Sequence, residues 1–130
     1  MRHGCGLNKL GRPSGHRNAL YRNLVTSLIK NGKIETTLAK AQGLKRVADR
    51  IINLSSNDTL HNRKQAYSYV FSKAVVQKLF SELGPLFKER NGGYTRVIRT
   101  KVRKGDAAQL AIVELTCNPE LVIETPAESK

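Results

Sequence analysis

Apolar residues return along this chain at spacings that predict a succession of short elements. Leu20, Tyr21, Leu24, Val25, Leu28 and Ile29 recur at four-residue steps within residues 16–31 and cover half a helical cylinder. Arg22, Asn23, Thr26, Ser27 and Lys30 fall on the other half, and Asn31-Gly32 reads as a stop. Residues 33–37, KIETT, predict a short strand, with Thr37 as the cap of a helix over 38–54. In that helix Leu38, Ala41, Leu44, Val47, Ala48, Ile51 and Leu54 form the inward stripe, while Arg46, Asp49, Arg50 and Asn53 share the outward side. Ser55-Ser56-Asn57-Asp58 reads as a turn, with Asp58 capping a polar helix over 59–69 that exposes Arg63 and Lys64. Ser72 begins a helix over 73–83, and Gly84-Pro85 is read as its end, followed by one more helical turn at 85–90.

The period changes after Asn91-Gly92-Gly93. Residues 94–103 predict a strand with Tyr94, Ile98 and Val102 on one face and Thr95, Arg99, Lys101 and Arg103 largely on the other. Lys104-Gly105-Asp106 turns the chain, and residues 108–116, AQLAIVELT, are apolar on both faces, as a central strand requires. The two runs should pair as an antiparallel hairpin. Ahead of these elements, Gly4, Gly6, Gly11, Pro13 and Gly15 break any periodicity, so residues 1–15 are expected to form an extended arm. The expected organisation is an arm over 1–15, one globular domain over 16–116 and an acidic tail over 117–130.

Composition adds a charge to this frame. The chain has 130 residues with 23 Lys and Arg against 10 Asp and Glu, a formal net charge of +13. The charge is segregated. Residues 1–34 contain Arg2, Lys9, Arg12, Arg17, Arg22, Lys30 and Lys33 and no acid, and residues 91–104 contain Arg96, Arg99, Lys101, Arg103 and Lys104, again with no acid. Residues 105–130 reverse the sign through Asp106, Glu114, Glu120, Glu124 and Glu128. Two acid-free basic blocks suit a polyanion, because each phosphate neutralised releases condensed counterions. A nucleic acid is the first such ligand and an anionic membrane surface its rival. His16 and Arg17 stand at a helix start, where cations oppose the dipole. A bound phosphate there would offset that cost, and solvation of both side chains is the alternative.

Other chemistries find little support. No apolar run is long enough to span a membrane, and MRHGCGLNKL has neither the apolar core of a secretory signal nor the Ser-rich amphipathic character of a transit peptide. Gly6 and Gly11 lack the Lys-Ser/Thr of a phosphate loop, and Gly4-Cys5-Gly6 lacks the third glycine of a dinucleotide fingerprint. Cys5 and Cys117 make no CxxC pattern, so no metal and no cofactor are expected. The histidines are His3, His16 and His61, and the acids are scattered, so no general base with a positioned substrate is legible and no enzyme is expected. With aromatics at 5%, a ladder for stacking single strands is not expected either. A glycine-rich basic arm suits a folded RNA, which is recognised by shape.

The segment MRHGCGLNKLGRPSGHRNALYRNLVTSLIKNGKIETTLAKA closely resembles the N-terminal half of bacterial-type large-subunit ribosomal protein seventeen. Met1-Arg2-His3-Gly4, Lys9-Leu10-Gly11-Arg12, His16-Arg17, Arg22-Asn23-Leu24, Ile34-Glu35-Thr36-Thr37 and Lys40-Ala41 carry the match. A second block runs Leu79-Phe80, Leu83-Gly84-Pro85 and Arg90-Asn91-Gly92-Gly93-Tyr94-Thr95-Arg96, and a third is Arg103-Lys104-Gly105-Asp106. Cys5, Leu7-Asn8, Gln42 and Leu86 depart from the family's more basic pattern, and no RNA contact is carried to them.

The resemblance implies an α+β fold, with several helices packed on a small, mainly antiparallel sheet and an extended basic N-terminal arm. It implies a structural constituent of the large ribosomal subunit, bound to large-subunit (23S-type) rRNA near the rim of the peptide exit tunnel. The partners implied are that rRNA and neighbouring ribosomal proteins, among them large-subunit protein thirty-two, with no membrane and no small-molecule substrate. A bacterial cytoplasmic ribosome is expected rather than an organellar one. The RNA-contacting residues expected are Arg2, His3, Lys9, Arg12, His16 and Arg17 on the arm and first helix start, and Arg22, Lys40, Arg46 and Arg50 on helices. Arg96, Arg99, Lys101, Arg103 and Lys104 add a basic strand and turn. A nucleoid-type DNA-binding protein and a small RNA-processing enzyme are the rival readings. The first needs a dimer seam that is not legible, and the second needs turnover that depends on His16.

Overall fold

Pro13 sets where the first helix begins. Its φ of −57° is already helical, and its carbonyl accepts the Arg17 N–H at 2.9 Å, so α1 runs Ser14–Asn31 and starts two residues before the expected position. Gly32 closes it in the left-handed conformation, φ 79°, with its N–H on the Leu28 carbonyl at 2.8 Å. The chain then forms β1 (Lys33–Thr37) and α2 (Leu38–Leu54) where the spacing predicts them. These assignments come from a computed structural model, which describes His3 and residues 8–117. The expectations for Arg2, for residues 4–7 and for the tail from 118 onward lie outside the described residues.

Three further α-helices follow, the last two joined by a π-helical segment. The helix α3 (Leu60–Tyr69) is capped by Thr59, whose hydroxyl accepts the Asn62 N–H, and not by Asp58. Asp58 is instead held by both arms of the Arg63 guanidinium, at 2.5 and 2.7 Å. Arg63, expected to be exposed, also lies 5.1 Å over the Phe80 ring. Then α4 (Lys73–Lys78) passes through a π-helical segment, Leu79–Leu83, into α5 (Gly84–Phe87).

Gly84-Pro85 therefore does not end the helix. The Gly84 N–H reaches back five residues to the Leu79 carbonyl, and this wider turn admits a proline that has no N–H of its own. Glycine is required there for packing: a Cβ on Gly84 would stand 2.8 Å from the Ser55 carbonyl oxygen at the end of α2.

The sheet contains β2 (Thr95–Val102) and β3 (Gln109–Leu115) with β1, in the order β1-β3-β2, antiparallel throughout. The run that is apolar on both faces is the central strand. On one face Ala111, Val113 and Leu115 line up with Ile34 and Thr36 of β1 and with Thr95 and Val97 of β2. The helices α1 and α2 cover this face and bury Tyr21, Val25, Leu28, Ile29, Leu44, Ala48 and Ile52. The opposite face carries Lys33, Glu35, Arg96, Ile98, Ile112 and Glu114, and Ile98 is 41% exposed.

The strand β2 does not keep its expected alternation. Its register against β3 slips by one residue between Arg99 and Val102, a β-bulge. Arg99 lies opposite Ala111 on the helix-covered side, while Lys101 comes within 3.9 Å of Glu35 on the open side. The expectation that Arg99 and Lys101 share a face fails because the extra residue reverses the alternation between them. Ile98 and Val102 are likewise exposed, the latter 54%, and only Tyr94 of that expected trio is buried.

Candidate nucleic-acid interface

The residues Leu38, Gln42, Lys45 and Asp49 stand at helical steps of four, three and four, which puts them on one stripe of α2. That stripe meets Val97 and Arg99 of β2, and with Arg46 the two elements enclose a groove of about 480 Å³. Two contacts fix the groove's geometry. The Thr95 hydroxyl donates to Asp49 Oδ1 at 2.9 Å, and the Tyr94 hydroxyl donates to Asn53 Oδ1 at 3.0 Å. Tyr94 is held in turn by Phe87, edge to face at 5.2 Å between ring centres. The groove thus brings together Arg46 and Arg99, two expected RNA contacts, and adds Lys45, outside the expected set, and Gln42, to which the resemblance carries no RNA contact. Their helical spacing from Leu38 and Asp49 was the available signal.

Other cations of the hairpin are held by carboxylates. Arg96 donates to Glu114 across the sheet, and Arg103 forks onto Asp106 at 2.9 and 2.6 Å. Lys101 faces Glu35, whereas Arg99 belongs to none of the four ion pairs among the described residues. The guanidinium of Arg103 and then the Ala108 N–H hold the Asp106 carboxyl at about 2. All these cations are at least half exposed, and such pairs in water exchange partners at little cost. Lys104 stands exposed in the turn beside them.

A second basic surface follows α1. Lys9, Arg12 and His16 are exposed, and Arg17 donates to the Arg12 carbonyl at 3.3 Å. The short turn from Lys9 to Arg12 has Leu10 and Gly11 at positive φ, and Leu10 packs against the core. No acid stands in the first turn of α1. His3 is exposed, and Lys40 is half-buried in the first turn of α2.

Arg22, expected as a simple phosphate contact, is more constrained. Its guanidinium lies 5.2 Å from the Tyr69 ring centre and 4.9 Å from that of Phe71, and it donates to the Ser68 carbonyl at 3.2 Å. Burial pushes the Tyr69 phenol above its ordinary range, and the nearby Arg22 and Arg50 pull it part of the way back. Among the described residues no three His, Cys, Asp or Glu side chains cluster as metal ligands, and no helix is long and apolar enough to cross a membrane.

Comparison with known proteins adds an independent finding. The family profile described as Ribosomal protein L17 matches residues 20–116. A protein of Carboxydothermus hydrogenoformans named large ribosomal subunit protein bL17 is 53% identical over 107 residues, covering 82% of this chain and 96% of that protein. Its namesake in Desulfotalea psychrophila is 47% identical over 129 residues, 99% of this chain and all of the relative. The namesake in Moorella thermoacetica is 50% identical over 107 residues, covering 82% of this chain and 96% of its own length.

Proposed function

The chain belongs to the ribosomal protein L17 family, a structural constituent of the large ribosomal subunit and not an enzyme, and from that premise we propose that it binds large-subunit rRNA through two basic surfaces. One surface is the groove of Lys45, Arg46 and Arg99, where cations from a helix and a strand face the same space. The other is the start of α1 with the turn before it: Lys9, Arg12, His16 and Arg17, together with Arg2 and His3 ahead of them. Lys40, Arg50, Arg103 and Lys104 add charge around these two, whereas Arg96 and Lys101, also expected as RNA contacts, face the other side of the sheet. The observation that carries the reading is the groove itself, because side chains remote in sequence converge there on a shape that a sugar–phosphate backbone can enter. Phosphate contacts of this kind position a protein without reading sequence.

The finer parts of the proposal concern neighbours. The open sheet face is apolar at Ile98 and Ile112, and its cations Arg96 and Lys101 are neutralised by Glu114 and Glu35, which suits a protein neighbour better than a phosphate. Large-subunit protein thirty-two, at the rim of the peptide exit tunnel, is the neighbour the sequence resemblance implies. The relatives are bacterial, which supports a bacterial cytoplasmic ribosome.

The test is binding of the full chain to protein-free large-subunit rRNA between 50 and 200 mM salt, with duplex DNA at matched salt for comparison. Each phosphate contact should contribute roughly 0.7–0.9 to the slope of log affinity on log salt. A flat response, or equal affinity for the DNA, overturns the reading. Deleting residues 2–13 should weaken incorporation into large subunits in competition with the full chain, and equal incorporation removes the arm from the proposal.

A further inference from the structure

Phe71 is an aromatic side chain left in the open. It lies in the link between α3 and α4, 74% exposed, in a fold whose other two phenylalanines, Phe80 and Phe87, are buried. Its ring is oriented: the Arg22 guanidinium lies 4.9 Å from its centre, with the Tyr69 ring on the same cation. The Arg22 hydrogen bond to the Ser68 carbonyl fixes the guanidinium in turn. Gly15, Asn18, Ala19 and Asn23 of α1 complete a shallow groove of about 390 Å³ with Arg22 and Phe71. Among the described residues that line the groove none is acidic.

We propose that Phe71 is a stacking platform for one unpaired base of the rRNA, with Arg22 as its positioning residue and Asn18 and Asn23 as hydrogen-bonding groups for the base edge. The proposal rests on the rRNA-binding reading above and deepens it. An exposed aromatic face beside cations and amides is what recognition of splayed-out RNA bases uses, because every base has a π-face and a polar edge. An apolar protein segment would gain the ring face but would bury the Asn18 and Asn23 amides without matching them, and Arg22, with no acid among the described lining residues, favours an anionic partner. The stack is non-ionic, so it contributes affinity that salt does not remove.

The experiment measures binding of the full chain to protein-free large-subunit rRNA for wild type, Phe71→Ala, Phe71→Leu and Phe71→Trp, with dimethyl sulfate probing of the bound RNA. Loss of one stacked base corresponds to about a ten-fold weaker affinity. Phe71→Ala and Phe71→Leu should both show that loss with an unchanged salt slope, and Phe71→Trp should restore affinity. A base protected by wild type should become reactive with the Ala and Leu variants. Phe71→Leu keeps apolar bulk, so its loss separates stacking from folding. Unchanged affinity and protection in both variants overturns the platform while leaving the phosphate contacts standing. Unchanged rRNA affinity with reduced incorporation into subunits also overturns it, in favour of a protein neighbour. A flat salt response of the wild type brings down the underlying reading first.

Discussion

The Tyr21 hydroxyl fills the space above Gly43 where α1 crosses α2: a Cβ on Gly43 would lie 2.0 Å from that oxygen and 2.7 Å from the ring carbon that bears it. The hydroxyl is buried and has no hydrogen-bond partner among the described residues, and burial pushes its pKa up while Arg17 pulls it back. Gly43→Ala should lower the unfolding free energy by about 1–3 kcal/mol through overpacking, although alanine is worth about 1 kcal/mol over glycine within a helix. Tyr21→Phe should raise it by about 1 kcal/mol, since it removes a buried donor that nothing satisfies. The double variant should lose less than Gly43→Ala alone. Urea unfolding of the three proteins checks the cycle.

Gly84 makes the second close approach, against the Ser55 carbonyl. That neighbour is backbone and cannot rotate away, and Ser55 is buried with its hydroxyl on the Ile52 carbonyl at 2.6 Å. Gly84→Ala should therefore cost about 2 kcal/mol in the same assay, within the range for overpacked cores. A loss below a few tenths would show that α5 shifts freely from the end of α2.

Asp106 gives a pH signature. Its carboxyl sits at about 2, below the usual carboxylate range, because Arg103 and the Ala108 N–H bind the charged form. A depressed carboxylate stabilises the fold fully above its unfolded pKa near 4 and loses that contribution as pH falls toward 2. Asp106→Asn should flatten the acid limb of the stability profile between those values. The carboxyl carbon of Asp106 in wild type should titrate by NMR about two pH units below an ordinary aspartate.

Arg99 and Arg96 occupy adjacent classes of position on one strand. Arg99 enters the α2 groove without a place in the four ion pairs, whereas Arg96 is held by Glu114. Arg99→Gln should lower the magnitude of the salt slope for rRNA binding by about one, and Arg96→Gln by clearly less. Equal effects would mean that the Glu114 pair opens on binding.

The helices and strands were legible because their apolar residues keep a period that a single core imposes. The strand β1, residues 33–37, and α2, residues 38–54, stand where the pattern puts them. The misreadings arise where a hydrogen bond or an extra residue overrules the usual local signal. Gly84-Pro85 looks like a stop until the Gly84 N–H reaches the Leu79 carbonyl and the helix passes through a wider turn. Asp58 looks like a cap until Arg63 claims both its oxygens. At the candidate interface, the basic blocks announced a polyanion, but the sequence could not say that Glu114, Glu35 and Asp106 would return to meet three of those cations. Nor could it aim Phe71 outward, since residue 71 belongs to no apolar stripe.

The one-residue slip in β2 allows a single edge strand to serve two opposite surfaces. Arg99 addresses the side where α2 lies, and Lys101, two positions on, addresses the opposite side. Length is therefore information at this spot. Removing Thr100 would close the slip while leaving Arg99 opposite Ala111 and Val102 opposite Gln109, so the flanking pairings should survive such a deletion and only the bend and twist of the hairpin tip should change.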